Sequence, residues 1–232
     1  MKWDKKVQQQ ISWNGEISNQ AAKMVVAKKI AAKVKSGQVI GFGSGSTAFL
    51  AIQEIGRRKK LEKLDFLAIP TSHEIELLCQ NLGISTTTLN RNRPDWGFDG
   101  ADEVSPENWL IKGRGGAMFR EKMLIQTSPK TFILVDDSKF VKHLGEKFPI
   151  PVECVPETLN LVREKLQQFG ATGVELRLAK GKDGPIITEH GNFILDVRFT
   201  RITADLEKKL KSITGVMETG LFIGYPLEIV KQ

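Results

Sequence analysis

The sequence predicts an α/β protein: a Rossmann-like, mostly parallel sheet with helices on both faces, plus a small inserted α+β (ferredoxin-like) domain. Three observations predict this fold class. Short apolar runs of strand length alternate with stretches in which apolar residues recur at helical spacing. Glycine, serine and acidic residues follow directly after several of those runs, which is where ligands bind in open α/β sheets. After about Gly145 the order of elements changes to strand, helix, strand, strand.

The first half of the chain supplies the elements of the sheet, after an irregular lead-in over residues 1–18. Apolar residues recur every three or four positions between Ser18 and Lys35, which predicts a helix that Ser36-Gly37 ends. A short apolar run at 38–42 predicts a buried strand. The further elements expected are a helix at 48–55, a strand at 65–69, a helix ending near Leu82-Gly83, a strand closing at Phe98, a helix at 117–126 and a strand at 132–135. Because strands alternate with helices, the sheet should be mostly parallel.

The second half is expected to begin with a separate small domain. The expected elements are strands at 148–155, 174–178, 186–187 and 193–197, helices at 157–169 and 204–212, and a strand at 220–223 that returns to the first sheet. We therefore expect a large Rossmann-like domain of residues 1–145 and 206–232. A small α+β domain, residues 146–205, would be inserted into it.

The composition argues against several classes of protein. The 232 residues are 41% hydrophobic and 26% charged, which is typical of a globular protein with a full core. No segment has the apolar length of a membrane span, and the charged N-terminus lacks a signal-peptide core. We therefore expect a cytoplasmic protein with no membrane partner. Cys79 and Cys154 share no motif and lie among apolar neighbours, which predicts buried, reduced thiols.

The formal net charge of +7 favours an anionic partner without identifying it. The 34 lysines and arginines are spread along the chain, and clusters such as residues 57–60 are typical of helix ends. No zinc-finger spacing or aromatic RNA-binding motif accompanies them, so we expect no nucleic-acid partner. A small phosphorylated metabolite suits the charge equally well.

A glycine- and serine-rich stretch, Gly41–Thr47, follows the first predicted strand and opens a helix. Glycines let a backbone approach an anion closely, and a helix N-terminus presents free N–H groups. The hydroxyls of Ser44, Ser46 and Thr47 add donors. The Walker lysine is absent, and Ser46 stands where a dinucleotide-binding motif has its third glycine, so nucleotide binding is disfavoured. The stretch predicts a phosphate site, the alternative being a glycine-rich turn with a serine cap.

Three acids crowd one short turn, Asp99-Gly100-Ala101-Asp102-Glu103. Like charges held together raise at least one pKa, which brings a carboxyl group into the range useful for acid–base catalysis. Paired acids can also bind a divalent metal, but the nearby lysine would compete with it. The histidines at 73, 143 and 190 lie far apart with no ligand spacing. We therefore expect neither a metal nor a cofactor.

A second motif, Lys112-Gly113-Arg114-Gly115-Gly116, supplies a cation and a flexible backbone for developing negative charge. Glu121 follows near the start of a predicted helix, although Arg120-Glu121-Lys122 alone is more often a solvated charge run. Lys139 lies beyond a predicted strand, where it could reach a phosphate as a point charge. Singly, each piece has a structural explanation. As an ordered set they predict a metal-free proton-transfer site for a small, oxygen-rich substrate.

Together these motifs resemble those of the ribose-5-phosphate isomerase family of type A. The similarity runs from about Ala21 through Phe222 and includes the acidic turn and the Lys-Gly-Arg-Gly-Gly-Ala block with its Arg-Glu-Lys. Pro151–Glu153 and Gly191–Asp196 follow in the family's order. The resemblance implies an aldose–ketose isomerase that interconverts D-ribose 5-phosphate and D-ribulose 5-phosphate without a cofactor, in the non-oxidative pentose phosphate pathway.

The resemblance also implies a role for each site residue. Glu121 would be the catalytic base, moving a proton between C1 and C2 through a cis-enediolate. Asp99 would assist ring opening, Asp102 would hydrogen-bond substrate hydroxyls, and Lys112 would stabilise the enediolate. The implied substrate-binding set also contains Ser44, Gly45, Ser46, Thr47, Gly100, Ala101, Gly113, Arg114, Gly115 and Lys139. A homo-oligomer, either a dimer or a tetramer, is implied as well.

Other functions stay open on the sequence alone. The same fold could bind a sugar phosphate as a sensor, although a sensor has no need of a base such as Glu121 beside Lys112. An amino-sugar phosphate deaminase or a coenzyme A transferase is a second alternative, but a deaminase would use a histidine and the core motifs contain none. Nucleic-acid binding is the third, and salt would weaken it steeply.

Overall fold

The computed structural model describes Trp13 and residues 15–232. Of the expected irregular lead-in over residues 1–18, residues 1–12 and 14 lie outside the described residues. In chain order the elements are α1 (Gln20–Ala31), β1 (Val39–Phe42), α2 (Ser46–Glu62), β2 (Leu67–Pro70), α3 (His73–Leu82), β3 (Ser85–Thr86), β4 (Trp96–Gly100), β5 (Glu103–Val104), β6 (Leu110–Ile111), α4 (Met118–Thr127), β7 (Thr131–Leu134), β8 (Ile150–Cys154), α5 (Leu159–Gln168), β9 (Ala171–Leu176), β10 (Phe193–Phe199), α6 (Leu206–Lys211), β11 (Val216–Thr219), β12 (Leu221–Phe222) and β13 (Leu227–Val230).

The chain divides into two compact units. Unit 1 comprises the described residues up to Gly100 together with Met123–Ser138 and Pro226–Gln232. Unit 2 comprises Ala101–Lys122 and Lys139–Tyr225. These bounds do not coincide with the predicted domains, because α6, β11 and the segment Ala101–Lys122 fall in unit 2.

Unit 1 contains a six-stranded, fully parallel sheet in the order β13-β7-β4-β1-β2-β3. Numbered within the sheet alone, this is the doubly wound order 3-2-1-4-5-6, with its switch point between β1 and β4. In its core, the apolar faces of α1, α2 and α3 pack against the sheet. Ile52 of α2 and Phe98 of β4 are both fully buried there. The predicted parallel sheet flanked by helices is confirmed.

Two glycines let α4 lie close to this sheet. Gly41 of β1 and Gly97 of β4 are register partners on adjacent strands. A Cβ at Gly41 would overlap the Leu124 side chain of α4, and a Cβ at Gly97 would meet the same side chain at 3.4 Å. Leu124 fills the space that two missing side chains leave, and this fixes the helix against the sheet.

Unit 2 contains a four-stranded antiparallel sheet in the order β11-β8-β10-β9. With α5 and α6 as crossovers this is a βαββαβ arrangement with strand order 4-1-3-2, the ferredoxin-like topology that was predicted. Val162 and Leu166 of α5 and Leu210 of α6 are fully buried in its core. A three-stranded antiparallel sheet, β12-β6-β5, completes the unit.

Three local expectations are wrong. The strand at 220–223 does not return to the first sheet: β12 pairs with β6 in unit 2, and β13 instead joins β7 in parallel. Residues 186–187 form no strand, and only a single bridge, Leu178 to Pro185, forms nearby. The first helix begins after Asn19, whose φ of 52° is left-handed, and ends at Ala31 rather than at Lys35.

None of the helices formed by the described residues has the length and hydropathy of a bilayer span. Both cysteines are buried free thiols, as predicted: Cys79 lies in the core of unit 1 and Cys154 in the core of unit 2. Burial raises the pKa of Cys79 to about 12 and that of Cys154 to about 11.

Candidate active site

The predicted phosphate loop lies at the switch point of the sheet in unit 1. It follows β1 at its carboxyl end, beside the end of β4, where ligands bind in doubly wound sheets. Gly45 precedes the first residue of α2 with a φ of 87°, a left-handed conformation that favours glycine, and no side chain caps the helix. The first backbone N–H groups of α2 can therefore donate to an anion, together with the hydroxyls of Ser44, Ser46 and Thr47.

Asp99 holds this loop in place from the neighbouring strand. Its carboxylate is fully buried, and one oxygen accepts hydrogen bonds from the Ser44 N–H at 3.1 Å and the Gly100 N–H at 2.7 Å. A Cβ at Gly43 would overlap the Asp99 carboxyl group. Gly43 is therefore needed for the close approach of the loop to Asp99.

The other two acids of the turn, Asp102 and Glu103, lie in unit 2 and differ in role. The fully buried Glu103 carboxylate accepts backbone N–H groups from Gly145, Lys147 and Phe148, each at 2.6 Å, so it is structural. Asp102 accepts the Arg114 N–H at 3.2 Å.

The pKa of Asp102 is raised above its ordinary value, but not mainly by crowding with like charges. Burial is the largest cause, and Glu121 adds a smaller increase. The charges of Lys112 and Lys139 oppose the rise. A carboxyl group with a raised pKa can hold a proton nearer neutral pH, as acid–base chemistry requires.

A buried ion pair joins the predicted base to the predicted cation. The Lys112 Nζ lies 3.2 Å from the Glu121 Oε2, and both side chains are only 3–4% exposed. Lys112 is fixed through its backbone, whose N–H donates to the Gly220 carbonyl at 2.9 Å. Glu121 lies in the first turn of α4.

The glycine loop between these two residues has two left-handed glycines, Gly113 at φ 95° and Gly116 at φ 84°. The Gly116 N–H donates to the Gly113 carbonyl at 3.1 Å and closes a turn. Lys139, at the end of a 3-10 turn over Asp137–Lys139, lies with its Nζ 5.7 Å from the Phe148 ring centroid.

The predicted site residues therefore form one group in each unit. Unit 1 holds the loop residues Ser44–Thr47 with Asp99 and Gly100. Unit 2 holds Ala101, Asp102, Lys112, Gly113, Arg114, Gly115, Glu121 and Lys139. Among the described residues, no group of three or more His, Cys, Asp or Glu side chains is arranged to hold a metal ion.

The alternative explanation of Arg120-Glu121-Lys122, a solvated charge run, does not hold, because Glu121 and Lys122 are buried. Lys122 is 3% exposed, and its Nζ lies 2.7 Å from Glu207, 2.9 Å from Glu218 and within 3.0 Å of two backbone carbonyls. No local pattern in the sequence predicts this cluster, because its acids are 85 and 96 residues away along the chain.

Comparisons with known proteins agree with the geometry. A family model described as ribose 5-phosphate isomerase A (phosphoriboisomerase A) matches residues 67–231. Ribose-5-phosphate isomerase A of Methanocaldococcus jannaschii is 45% identical over 209 residues, covering 89% of this chain and 92% of the relative. The Synechococcus protein of the same name is 46% identical over 203 residues, covering 86% and 87%.

Solved structures give the same answer. Ribose 5-phosphate isomerase A from M. jannaschii superposes with a TM-score of 0.88 at 42% identity, covering 93% of this chain and 96% of that one. A D-ribose-5-phosphate isomerase in complex with phospho-erythronic acid gives 0.87 at 36% identity, covering 92% and 96%. Likeness of this extent makes the chain an enzyme of the isomerase class. It belongs to the ribose 5-phosphate isomerase A family, which confirms the resemblance found in the sequence.

Proposed function

We propose that this chain interconverts D-ribose 5-phosphate and D-ribulose 5-phosphate by carboxylate-mediated proton transfer through a cis-enediolate. The observation that carries the proposal is the buried Lys112–Glu121 pair beside the glycine loop. A base and a cation held together out of water are suited to removing a carbon-bound proton while stabilising the resulting oxyanion.

In the proposed reaction, Glu121 takes the proton from C2 of the open-chain sugar and returns it to C1. The proton on O2 moves to O1, so the aldehyde becomes a ketone with no change in composition. Lys112 stabilises the negative charge that develops on the oxygens, helped by N–H groups of Gly113, Arg114 and Gly115. Glu121 carries the proton and Lys112 stabilises the oxyanion, so the proposed step requires no cofactor.

The remaining residues bind and prepare the substrate. Asp99 assists opening of the furanose ring, and Asp102 accepts hydrogen bonds from substrate hydroxyls. The 5-phosphate binds at the N-terminus of α2, with the Ser44–Thr47 loop and Lys139 as donors. Gly100 and Ala101 contribute backbone contacts.

The test is conversion of ribose 5-phosphate to ribulose 5-phosphate by the purified protein in excess EDTA. We expect Glu121→Gln to lower kcat by about 10³-fold, because a positioned general base contributes roughly 10²–10⁴-fold. Binding of the sugar phosphate, measured by calorimetry, should persist. The matched control is Glu74→Gln, an exposed glutamate in the first turn of α3, which should turn over normally. Equal turnover by Glu121→Gln would contradict the assignment of the base.

We also propose, from the family resemblance, that the enzyme works in the cytoplasm as a homo-oligomer, a dimer or a tetramer. Sedimentation velocity across a range of protein concentrations measures the oligomeric state, and a monomer at every concentration would contradict it.

A further inference from the structure

We propose that Arg177 and Asp196 form a positioning pair that orients the peptide groups of the glycine loop toward the reacting end of the substrate. This inference rests on the proposed function. It concerns two residues to which no role in the site was assigned from the sequence, although Asp196 ends the Gly191–Asp196 block of the family resemblance.

The first observation is the set of bonds that one guanidinium group makes. Arg177 Nε donates to Asp196 Oδ2 at 2.8 Å, and a second guanidinium nitrogen donates to Asp196 Oδ1. The third nitrogen donates to two successive carbonyls of the loop, those of Gly113 and Arg114, each at 2.9 Å. The planar fork of arginine satisfies all four acceptors at once, which a lysine cannot do.

The second observation is what these bonds do to the peptide planes. The carbonyl and the N–H of a trans peptide point in opposite directions. Because the carbonyls of Gly113 and Arg114 face Arg177, the N–H groups of Arg114 and Gly115 face away from it. The Arg114 N–H indeed reaches the Asp102 carboxylate, at 3.2 Å. Two successive N–H groups are thus turned toward the side where Asp102 lies. Asp102 accepts the first of them, and the second, that of Gly115, is oriented to donate to an oxyanion.

The third observation is that the pair is itself held rigidly. Arg177 follows β9, and its backbone N–H donates to the Ile194 carbonyl while its carbonyl accepts from Ile186, both at 2.9 Å. Asp196 lies two residues after Ile194 in β10, so both side chains project from the same face of the sheet. The side chains of Arg177 and Asp196 are only 14% and 21% exposed. Without this support, left-handed Gly113 and Gly116 would leave the loop free to sample other conformations.

The test compares Arg177→Met, Arg177→Lys and Asp196→Asn with the wild type in turnover of ribose 5-phosphate. We expect Arg177→Met to lower kcat by about 10²-fold with little change in KM, because misplaced oxyanion donors cost turnover rather than binding. Arg177→Lys should be impaired as well, and Asp196→Asn less so. Arg163→Met, an exposed arginine on α5, is the matched control and should behave as the wild type.

Two further measurements separate positioning from a merely structural role. Phospho-erythronic acid carries a carboxylate where the enediolate would carry its charge, so Arg177→Met should bind it less tightly while binding inorganic phosphate as the wild type does. Ethylguanidinium added to Arg177→Ala should restore part of kcat without changing the thermal midpoint.

The outcomes are distinguishable. If the wild type does not convert ribose 5-phosphate, the proposed function fails and this inference fails with it. If the wild type turns over and Arg177→Met matches it, only the inference is overturned. It is also overturned if Arg177→Met loses both ligands equally, with a lowered thermal midpoint and no rescue by ethylguanidinium.

Discussion

Gly220 shows how the absence of a side chain can position a residue predicted to be catalytic, Lys112. A Cβ there would overlap the Lys112 carbonyl and lie 2.6 Å from the Pro151 Cδ, because the two backbones meet at this point. The Gly220 carbonyl accepts the Lys112 N–H at 2.9 Å. Gly220 therefore allows the contact that holds the backbone of Lys112.

We expect Gly220→Ala to lower both stability and turnover. Overpacking of this kind costs about 1–3 kcal/mol of unfolding free energy, and moving Lys112 should lower kcat as well. Urea unfolding and steady-state kinetics measure the two effects. Gly181→Ala is the control, since a Cβ there meets nothing within 4 Å. Equal stability of the two variants would show that the backbone between β11 and β12 can shift without cost.

The raised pKa of Asp102 predicts a pH dependence of stability. Burial makes the folded protein hold this proton more tightly than the unfolded chain does. The stabilisation is therefore complete below the unfolded pKa of about 3.9 and is lost as pH rises through the folded pKa. Relative to the wild type, Asp102→Asn should gain unfolding free energy as pH rises from about 3 to about 7. Chemical denaturation at a series of pH values measures this difference, and exposed Asp183→Asn should show no such trend.

At the scale of elements, Lys122 joins helix α4 to α6 and β11 within unit 2. Its Nζ contacts Glu207 of α6 and Glu218 of β11, and the Tyr225 hydroxyl also donates to Glu207 at 2.9 Å. Lys122 therefore pairs with two buried carboxylates, and Glu218 also lies 3.4 Å from the Lys211 Nζ. Removing one partner of a buried ion pair leaves an uncompensated charge.

Lys122→Met should lower the free energy of unfolding by about 3–5 kcal/mol. Adding Glu207→Gln to this variant should recover part of the loss, because it removes one of the stranded charges. Urea unfolding of the two single variants and the double variant gives the coupling free energy. Strictly additive effects would mean that the two groups do not interact.

How well each element could be predicted depended on where its determinants lie in the sequence. Helix α3 has both ends marked locally: the Ser72 hydroxyl accepts the Ile75 N–H, and Gly83 ends the helix at a φ of 69°. Helix α2 runs to Glu62, beyond the expected end, because exposed pairs such as Arg58–Glu62 support its last turns without an apolar stripe. Strand β11 was missed because its place in the sheet depends on β8, some sixty residues earlier in the chain.

The residues of the site likewise divide into those marked by local motifs and those whose partners lie far away in the sequence. Lys112, Gly113 and Glu121 lie in short motifs, and their residue types in those motifs indicate their chemistry. The supports, Arg177 and Lys122, act through partners tens of residues away, and nothing local in the sequence marks them. The roles of the motif residues stay predictions until the variants are measured.

At the scale of the whole molecule, the two thiols should resist modification. Burial raises the pKa of Cys79 to about 12 and that of Cys154 to about 11, so both thiols stay protonated, and therefore unreactive, at pH 8. We expect no alkylation by iodoacetamide in the native protein, measured by mass spectrometry. Rapid modification without denaturant would contradict the buried placement of these side chains.

Because each unit has one cysteine in its core, the reactivity of each thiol reports the unfolding of its own unit. Cys79 becomes reactive only when the core of unit 1 opens, and Cys154 only when that of unit 2 does. The fraction of each cysteine alkylated in a short pulse can be measured by peptide mass spectrometry at a series of urea concentrations. This would give one unfolding curve for each unit from a single unlabelled sample. The order of the two curves would show which unit unfolds at the lower urea concentration. Coincident curves would mean that the two units unfold together.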